Sequence, residues 1–379
     1  MRIAIIDPYI QGIFGQRTHF TIAKYLSTTN EVDLYVHKIR KDLISIVKES
    51  IGKANLIYAK EREGNGYEFL YSINYMYFGF VDRLIFKRFK KNNQIKPYDA
   101  ILLISGGEGA WIARLVKKQK NKVVPLIIFL PVDPPHGLNN IKYSDILDGK
   151  GSRIDNLKIS LLKVFHRYRL GYFDYVLEQS KWTTRIFREI YGINSFKPCV
   201  SSVDQSEFIV SNLTKSRKYI AVPTVSMYKE GANMIKKLIN DGIPVKVFGH
   251  IEISGVPSLG YVDDKVLVSI YGDAVATLFL FDDEGFGLVP LESLACGTPV
   301  ITEEKLGPGA EWKRSNFVYY FSDYKNLLEI CRNLLRTDSD YSDRVEIRHS
   351  VQDYFFETTM KELNDFITSK VNNLQKRIK

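Results

Sequence analysis

The sequence predicts an α/β protein of two doubly wound halves, each a parallel sheet covered by helices. Three observations carry this. The chain has 379 residues, and about 100–200 residues per domain makes two domains the natural division. Short apolar runs alternate with stretches of helical pattern, which builds βαβ units with right-handed crossovers. The alternation pauses in a polar segment, residues 205–218, and then restarts. With 45% hydrophobic and 25% charged residues the composition is globular, which excludes disorder and fibrous repeats.

In the first half, residues 2–6 are an apolar run ended by Asp7-Pro8, read as a first strand and not as a secretory leader. Gln11-Gly-Ile-Phe-Gly15-Gln leads into a helix to about Thr28. Residues 32–36 and 98–104 are further strands, the second closed by Ser105-Gly-Gly-Glu108-Gly. Residues 111–120 read as a helix with a basic last turn. Residues 123–130 are continuously apolar and stop at Pro131-Val-Asp133-Pro-Pro-His136-Gly. Unbroken apolar runs fit strands buried on both faces of a parallel sheet. Asp174-Tyr-Val-Leu-Glu178 is a short strand, and Ser180 is the N-cap of a helix to about Tyr191. In the second half, 219–225, 245–248, 275–281 and 299–302 are strands. Helices fall near 231–240 and 290–296.

The charge is lopsided. Residues 1–200 hold 32 Lys+Arg against 18 Asp+Glu, or +14, and the remaining 21 and 25 leave −4 for 201–379. The basic half suggests an anionic partner: nucleic acid, a membrane surface or a phosphorylated substrate. A solvated basic face is the plain alternative. Residues 67–96 and 153–170 mix aromatic and aliphatic residues with Lys and Arg at roughly helical spacing. Such helices lie on anionic membrane faces or turn their apolar side to a core. No apolar stretch reaches the ~20 residues that cross a bilayer. Cys199, Cys296 and Cys331 make no disulfide framework, and no Cys/His cluster has zinc spacing. The expectation is a cytoplasmic protein, peripheral at the inner membrane face.

The segment Asp282-Asp-Glu284-Gly-Phe-Gly-Leu-Val-Pro-Leu-Glu292-Ser-Leu-Ala-Cys-Gly-Thr-Pro-Val-Ile301 carries the chemistry. An apolar strand ends in acids, Gly285 and Gly287 follow, and a helix begins near Pro290. Strand, glycine loop and helix aim backbone N–H groups and a helix N-terminus at phosphate oxygens. Glu284 and Glu292, eight positions apart, suit the paired hydroxyls of a sugar and a ribose. Alone, a Gly-x-Gly reads equally as a tight turn. Asp282-Asp283-Glu284 has the look of a metal site.

The whole stretch resembles the E-x7-E signature of the retaining glycosyltransferases of family 4. Residues 254–262 and Ile270-Tyr-Gly-Asp273-Ala resemble the run before that signature, and Leu306-Gly-Pro-Gly309-Ala-Glu311 the loop after it. Ser180, Tyr191-Gly192 and Val203-Asp204 through Phe208 resemble the end of the family's first domain, and Tyr354-Phe-Phe-Glu357 the aromatic segment before its last helix. The likeness is strong over 255–311 and weak over 1–200. It implies the GT-B fold: two Rossmann-like doubly wound domains facing a cleft, with a C-terminal helix crossing back to the first. The implied boundaries are 1–205 for an acceptor domain, joined by a helix at about 352–379, and 206–351 for a nucleotide-sugar domain.

Carried over by residue, the resemblance gives Glu284 the hydroxyls of the transferred sugar and Glu292 the ribose. The N–H groups of Phe286, Gly287 and Leu288, after Gly285, hold sugar and phosphate. Tyr261 and Val262 border the base. Lys229 in Met-Tyr-Lys-Glu-Gly neutralises the diphosphate. The family's arginine before this lysine is missing from Val222-Pro-Thr-Val-Ser, and Arg17 or Lys181 are the candidate substitutes. Gly12 and Gly15 face the donor phosphate, His136 or Asp133 stands near the reacting carbon, and Glu108 faces the same cleft. The implied activity is hexosyl transfer from a nucleotide sugar to an acceptor glycan or lipid-linked sugar, with retention of configuration and no metal. Two alternatives stay open: an enzyme or binding protein acting on nucleic acid, for which no motif is present, and a catalytically silent sugar-nucleotide-binding protein.

Overall fold

The computed structural model describes residues 1–7, 9–10, 17–62, 89, 91, 97–104, 110–117, 125–130, 143–147, 149–199, 201–210, 219–224, 230–249, 251–281, 285–303, 315–337 and 341–378. The chain divides into two units, Met1–Val200 with Met360–Lys379, and Ser201–Thr359.

Unit 1 is built on strands β1 (Arg2–Ile6), β2 (Tyr9–Ile10), β3 (Glu31–Arg40), β4 (Asn55–Arg62), β5 (Ala100–Ile104), β6 (Leu126–Leu130), β7 (Tyr175–Glu178) and β8 (Phe196–Cys199). They form one sheet in the order β2-β3-β1-β5-β6-β7-β8, with β4 beside β3. The pairings are parallel. The unbroken apolar runs of β5 and β6 are buried along their whole length, as two-faced coverage requires. Helix α1 (Arg17–Leu26) follows β1, and α2 (Ile44–Ser50) follows β3. Helices α3 (Ala110–Lys117), α4 (Tyr143–Leu147), α5 (Arg153–Leu170) and α6 (Lys181–Arg185) come after β5 and β6 and around β7. Ser180 caps α6 as its sequence position predicts, with a full capping box to Thr183. The helix then widens into a π-turn over Ile186–Tyr191 and ends at left-handed Gly192.

Several boundaries differ from expectation. The strand expected at 32–36 runs from Glu31 to Arg40, and β4 was not foreseen. β4 reads Asn-Leu-Ile-Tyr-Ala-Lys-Glu-Arg, and an edge strand carries charge to block further pairing. The strand expected at 98–104 begins at Ala100. Of the segment 67–96, Phe89 is fully buried and stacks on Tyr98 at 5.2 Å. That aromatic is core, whatever the basic residues do; apart from Phe89 and Lys91, residues 67–96 lie outside the described residues.

Unit 2 is a five-stranded parallel sheet in the order β10-β9-β11-β12-β13. Its strands are β9 (Tyr219–Pro223), β10 (Val245–Phe248), β11 (Ala274–Phe279), β12 (Val300–Glu303) and β13 (Val318–Phe321). Helices α7 (Gly231–Asn240), α8 (Asp264–Asp273), α9 (Leu288–Ala295), α10 (Tyr324–Arg336) and α11 (Tyr341–His349) cover it. The core joins Ile220, Val222, Ile235, Leu278 and Ile301, all fully buried. Each such side chain stabilises the fold by about 1.5–3 kcal/mol. None of the three cysteines forms a disulfide, and burial pushes the Cys296 and Cys331 thiols up to about 12.

The last helix, α12 (Phe356–Ile378), passes from unit 2 into unit 1. In unit 1 it buries Leu363, Ile367 and Val371 at helical spacing and sets Phe366 5.3 Å from Tyr175. Among the described residues no helix is long and apolar enough to cross a membrane.

Two glycines of unit 2 give a stability test. Gly297, with φ +71°, closes α9, and a Cβ there would stand 2.7 Å from the Arg344 carbonyl oxygen. Gly242 has φ +77° but open space around it. Gly242→Ala is expected to cost about 1 kcal/mol of left-handed strain. Gly297→Ala adds the clash and costs about 3 kcal/mol. Denaturant unfolding followed through unit 2 reads the difference, and equal midpoints would contradict it.

Candidate functional site

In a parallel sheet the ligand crevice lies beyond the carboxyl ends of the strands, where successive connections leave in opposite directions. In unit 2 that point is between β9 and β11, because β9 connects to β10 on one side and β11 lies on the other. The loop after β11 holds the glycines. Lys229 belongs to the loop after β9, and it and Glu284 lie outside the described residues.

Gly285, Phe286 and Gly287 are buried. Phe286 anchors the loop by packing its ring 5.4 Å from that of Tyr354. Gly287 takes φ +85°, a left-handed value that glycine adopts without strain, and the helix begins at the next residue. The helix therefore starts at Leu288, with Pro290 in its first turn as the sequence suggests. Glycine at the cap provides no side-chain oxygen, and no acid stands in the first turn. The initial N–H groups have no acceptor within the helix, and a helix end of this kind attracts an anion. Leu288 is partly exposed at the same end.

The other end of α9 is fixed by two arginines. Arg344, 4% exposed, donates to the carbonyls of Cys296 and Gly272 at 3.2 Å each. Arg348 donates to Ala295 at 2.6 Å, to Gln205 at 2.7 Å and to Phe208. Cations at a helix C-terminus neutralise the negative end of its dipole.

Glu292, about one turn into α9, is half-buried. Its Oε2 accepts a hydrogen bond from the Tyr271 hydroxyl at 3.2 Å. Burial first, and then the charge of Glu292, push the Tyr271 hydroxyl well above its ordinary range. It stays a donor at any working pH and fixes the carboxylate. In the sequence Tyr271 stands only within the run that precedes the signature, and a separation of 21 residues from Glu292 gives no sign of the pairing.

Tyr261 and Val262 lie on the segment after β10. Leu259 N–H donates to Val247 at 2.9 Å, and Gly249 N–H donates to Gly260 at 2.8 Å. Tyr261 is exposed and Val262 half-buried. Because β10, β9 and β11 are neighbours, the loops that follow them share one edge of the sheet. Glu292, Gly285, Phe286, Gly287, Leu288, Tyr261 and Val262 thus belong to elements at that edge.

In unit 1 the corresponding reversal lies between β1 and β5. Gly12 and Gly15 follow β1, Glu108 follows β5, and Asp133 and His136 follow β6. All five lie outside the described residues. The substitutes for the missing arginine, Arg17 and Lys181, are the first residues of α1 and α6. Sequence reading also missed a buried pair here. Asp7, just past β1, meets Nδ1 of His19, in the first turn of α1, at 2.7 Å.

Comparison with known proteins follows this geometry. Residues 254–346 match the family model of glycosyl transferases group 1. No curated sequence matches the chain. Among solved structures, a glycosyltransferase from Rickettsia africae has a TM-score of 0.66 at 15% identity, covering 97% of this chain and 98% of its own. A lipopolysaccharide outer core galactosyltransferase gives 0.65 at 15% identity, over 98% and 100%. HepE of Anabaena, solved with UDP and glucose, gives 0.63 at 13% identity, over 97% and 100%.

The fold is GT-B. As the resemblance implied, it comprises two parallel-sheet α/β units of the glycosyltransferase type, and the group 1 match spans the helix that follows the glycine loop.

Within this GT-B unit, Tyr271→Phe removes the hydroxyl that fixes Glu292. The fold should persist, because the ring still packs edge-on to Phe248 at 6.1 Å. Under the nucleotide-sugar reading proposed below, UDP affinity should fall about ten- to a hundredfold, the worth of one hydrogen bond to a charged group. Calorimetric titration checks this, and an unchanged Kd would separate Glu292 from nucleotide binding.

Proposed function

We propose that the protein transfers a hexosyl group from a nucleoside-diphosphate sugar to an acceptor glycan or lipid-linked sugar, with retention of configuration. The observation that carries this is the uncapped N-terminus of α9 behind left-handed Gly287, beside a carboxylate held by Tyr271. An anion cradle adjoining a hydroxyl acceptor complements a diphosphate followed by ribose. The group 1 match and the neighbour solved with UDP and glucose support the same chemistry.

In this reading the N–H groups of Phe286, Gly287 and Leu288 receive sugar and phosphate oxygens. Glu292 takes the ribose hydroxyls, and Tyr261 and Val262 border the base. Glu284 holds hydroxyls of the sugar, and Lys229 stabilises the departing diphosphate with a fixed charge. From unit 1 the resemblance assigns His136 or Asp133 to the reacting carbon, Gly12 and Gly15 to the donor phosphate, and Glu108 to the same chemistry. The acceptor oxygen attacks on the face the phosphate leaves, and the leaving phosphate assists. The helix dipole and Lys229 supply the positive charge, so no divalent ion is required.

Glu284→Ala is expected to abolish transfer, while UDP at 100 times its Kd still raises stability by about 2.7 kcal/mol. Turnover unchanged by EDTA is the companion expectation. Wild-type turnover in Glu284→Ala, or full loss with EDTA, would refute the respective assignment.

The acceptor is best placed at an anionic membrane surface. Ile154, Leu157, Leu161, Val164 and Tyr168 of α5 are 55–72% exposed and repeat at the three-four spacing of one helix face. Arg153, Lys158 and Arg167 flank that face. Like charges on both flanks oppose pairing with a second copy of the helix. They favour lipid headgroups, at about 1 kcal/mol per basic residue near the surface. Vesicles containing phosphatidylglycerol should bind the protein at low salt and release it at high salt. Leu161→Glu with Val164→Glu should reduce binding at least tenfold, and undiminished binding by this variant would exclude α5 as the docking face.

A further inference from the structure

We propose that His19 receives the attacking hydroxyl of the acceptor in unit 1, with Asp7 as its positioning residue. The proposal rests on the glycosyl-transfer reading and adds a residue to its acceptor side.

Asp7 and His19 are 0% and 3% exposed. A carboxylate accepts hydrogen bonds, so Nδ1 of the ring donates to Asp7 Oδ2 across the 2.7 Å contact. The backbone N–H of Asp7 is itself held by the Tyr35 carbonyl at 3.0 Å, which fixes the carboxylate against the sheet. With Nδ1 protonated, the neutral ring presents a lone pair at Nε2. That atom is buried and has no hydrogen-bond partner. A buried acceptor without a donor is a cost to the fold, and such groups mark places where a ligand supplies the missing bond.

The position is as specific as the chemistry. Asp7 follows β1, one of the two strands at the connection reversal of the unit 1 sheet, and His19 stands in the first turn of the helix after it. A buried lone pair without a partner calls for a hydrogen-bond donor. The diester phosphates of a nucleotide sugar carry no proton at neutral pH to give Nε2, and they meet the Asp7 charge behind the ring. A sugar hydroxyl donates one hydrogen bond, and exclusion of bulk water removes its competitor. The bond orients the oxygen that forms the new glycosidic link.

Two measurements test this. Nitrogen NMR on histidine-labelled protein should show His19 with a protonated Nδ1 and a bare Nε2. Titration with a panel of methyl hexosides should move that Nε2 signal, and dimethyl phosphate, which carries no proton at neutral pH, should not. A response to dimethyl phosphate alone, or to neither, overturns the proposal. In the second measurement, transfer to the responding glycoside should fall at least tenfold in His19→Phe and be partly restored in His19→Gln. Stabilisation by UDP should match wild type in both. If His19→Phe fails to fold, His19→Gln and Asp7→Asn carry the same comparison. Wild-type transfer rates in these variants overturn the proposal, as does a parallel loss of UDP stabilisation, which marks a purely structural pair. If UDP fails to stabilise the wild type while a methyl hexoside still moves His19, the transfer reading fails and the hydroxyl site stands.

Discussion

The unequal treatment of the two ends of α9 is the constraint around which unit 2 is organised. A helix leaves orphan N–H groups at its start and orphan carbonyls at its end. Here the carbonyl end is met by the guanidinium groups of buried Arg344 and half-buried Arg348. The N–H end is preceded by a glycine that gives it no cap. Arg348 also holds the carbonyls of Gln205 and Phe208, so the helix is bound to the segment by which the chain enters this unit. Fixing one end in this way lets the other stay uncapped without fraying. Phe286, seated on Tyr354, does for the loop what the arginines do for the helix.

A parallel sheet then decides what stands beside that helix end. The order β10-β9-β11 makes three consecutive crossover loops neighbours at one edge, although their sequences are tens of residues apart. Glu292 reaches that edge from the body of α9, where the Tyr271 hydroxyl restrains it. Both partners sit on covered elements, which holds the carboxylate more tightly than a loop would. The chemistry proposed for the site asks for preorganised dipoles more than for reactive side chains.

Much of this was legible in the sequence, for identifiable reasons. β1 and β10 were read at their observed limits because an apolar run bounded by turn residues has one reading. Glu292 and the glycines were legible because strand, glycine loop and helix follow in unbroken order. Tyr271 was not assigned to Glu292, nor His19 to Asp7, because those pairings depend on how helices settle against a sheet. β4 escaped because its charges read as loop. The exposed face of α5 was undecidable, since a core-facing and a surface-facing amphipathic helix share one pattern. The fold shows Leu157, Leu161 and Val164 in the open.

Unit 1 buries two carboxylates at opposite ends of its sheet, and the contrast between them separates structure from function. Asp33 lies near the start of β3, 4% exposed. It accepts from Arg2 at 2.8 Å, from Asn55 at 3.1 Å and from the Tyr98 hydroxyl. Burial and this carboxylate push the Tyr98 hydroxyl far up, so it remains a donor. That group is satisfied from β1, β4 and the approach to β5, and it ties those strand starts together. Asp7, at the carboxyl end of β1, instead holds a ring whose second nitrogen has no partner. The Asp33 carboxylate accepts from three donors on three elements, whereas the ring that Asp7 holds keeps one nitrogen without a partner. The open nitrogen lies at the end of the sheet where parallel α/β units bind their ligands, and that coincidence of chemistry with topology distinguishes His19 from an ordinary core histidine.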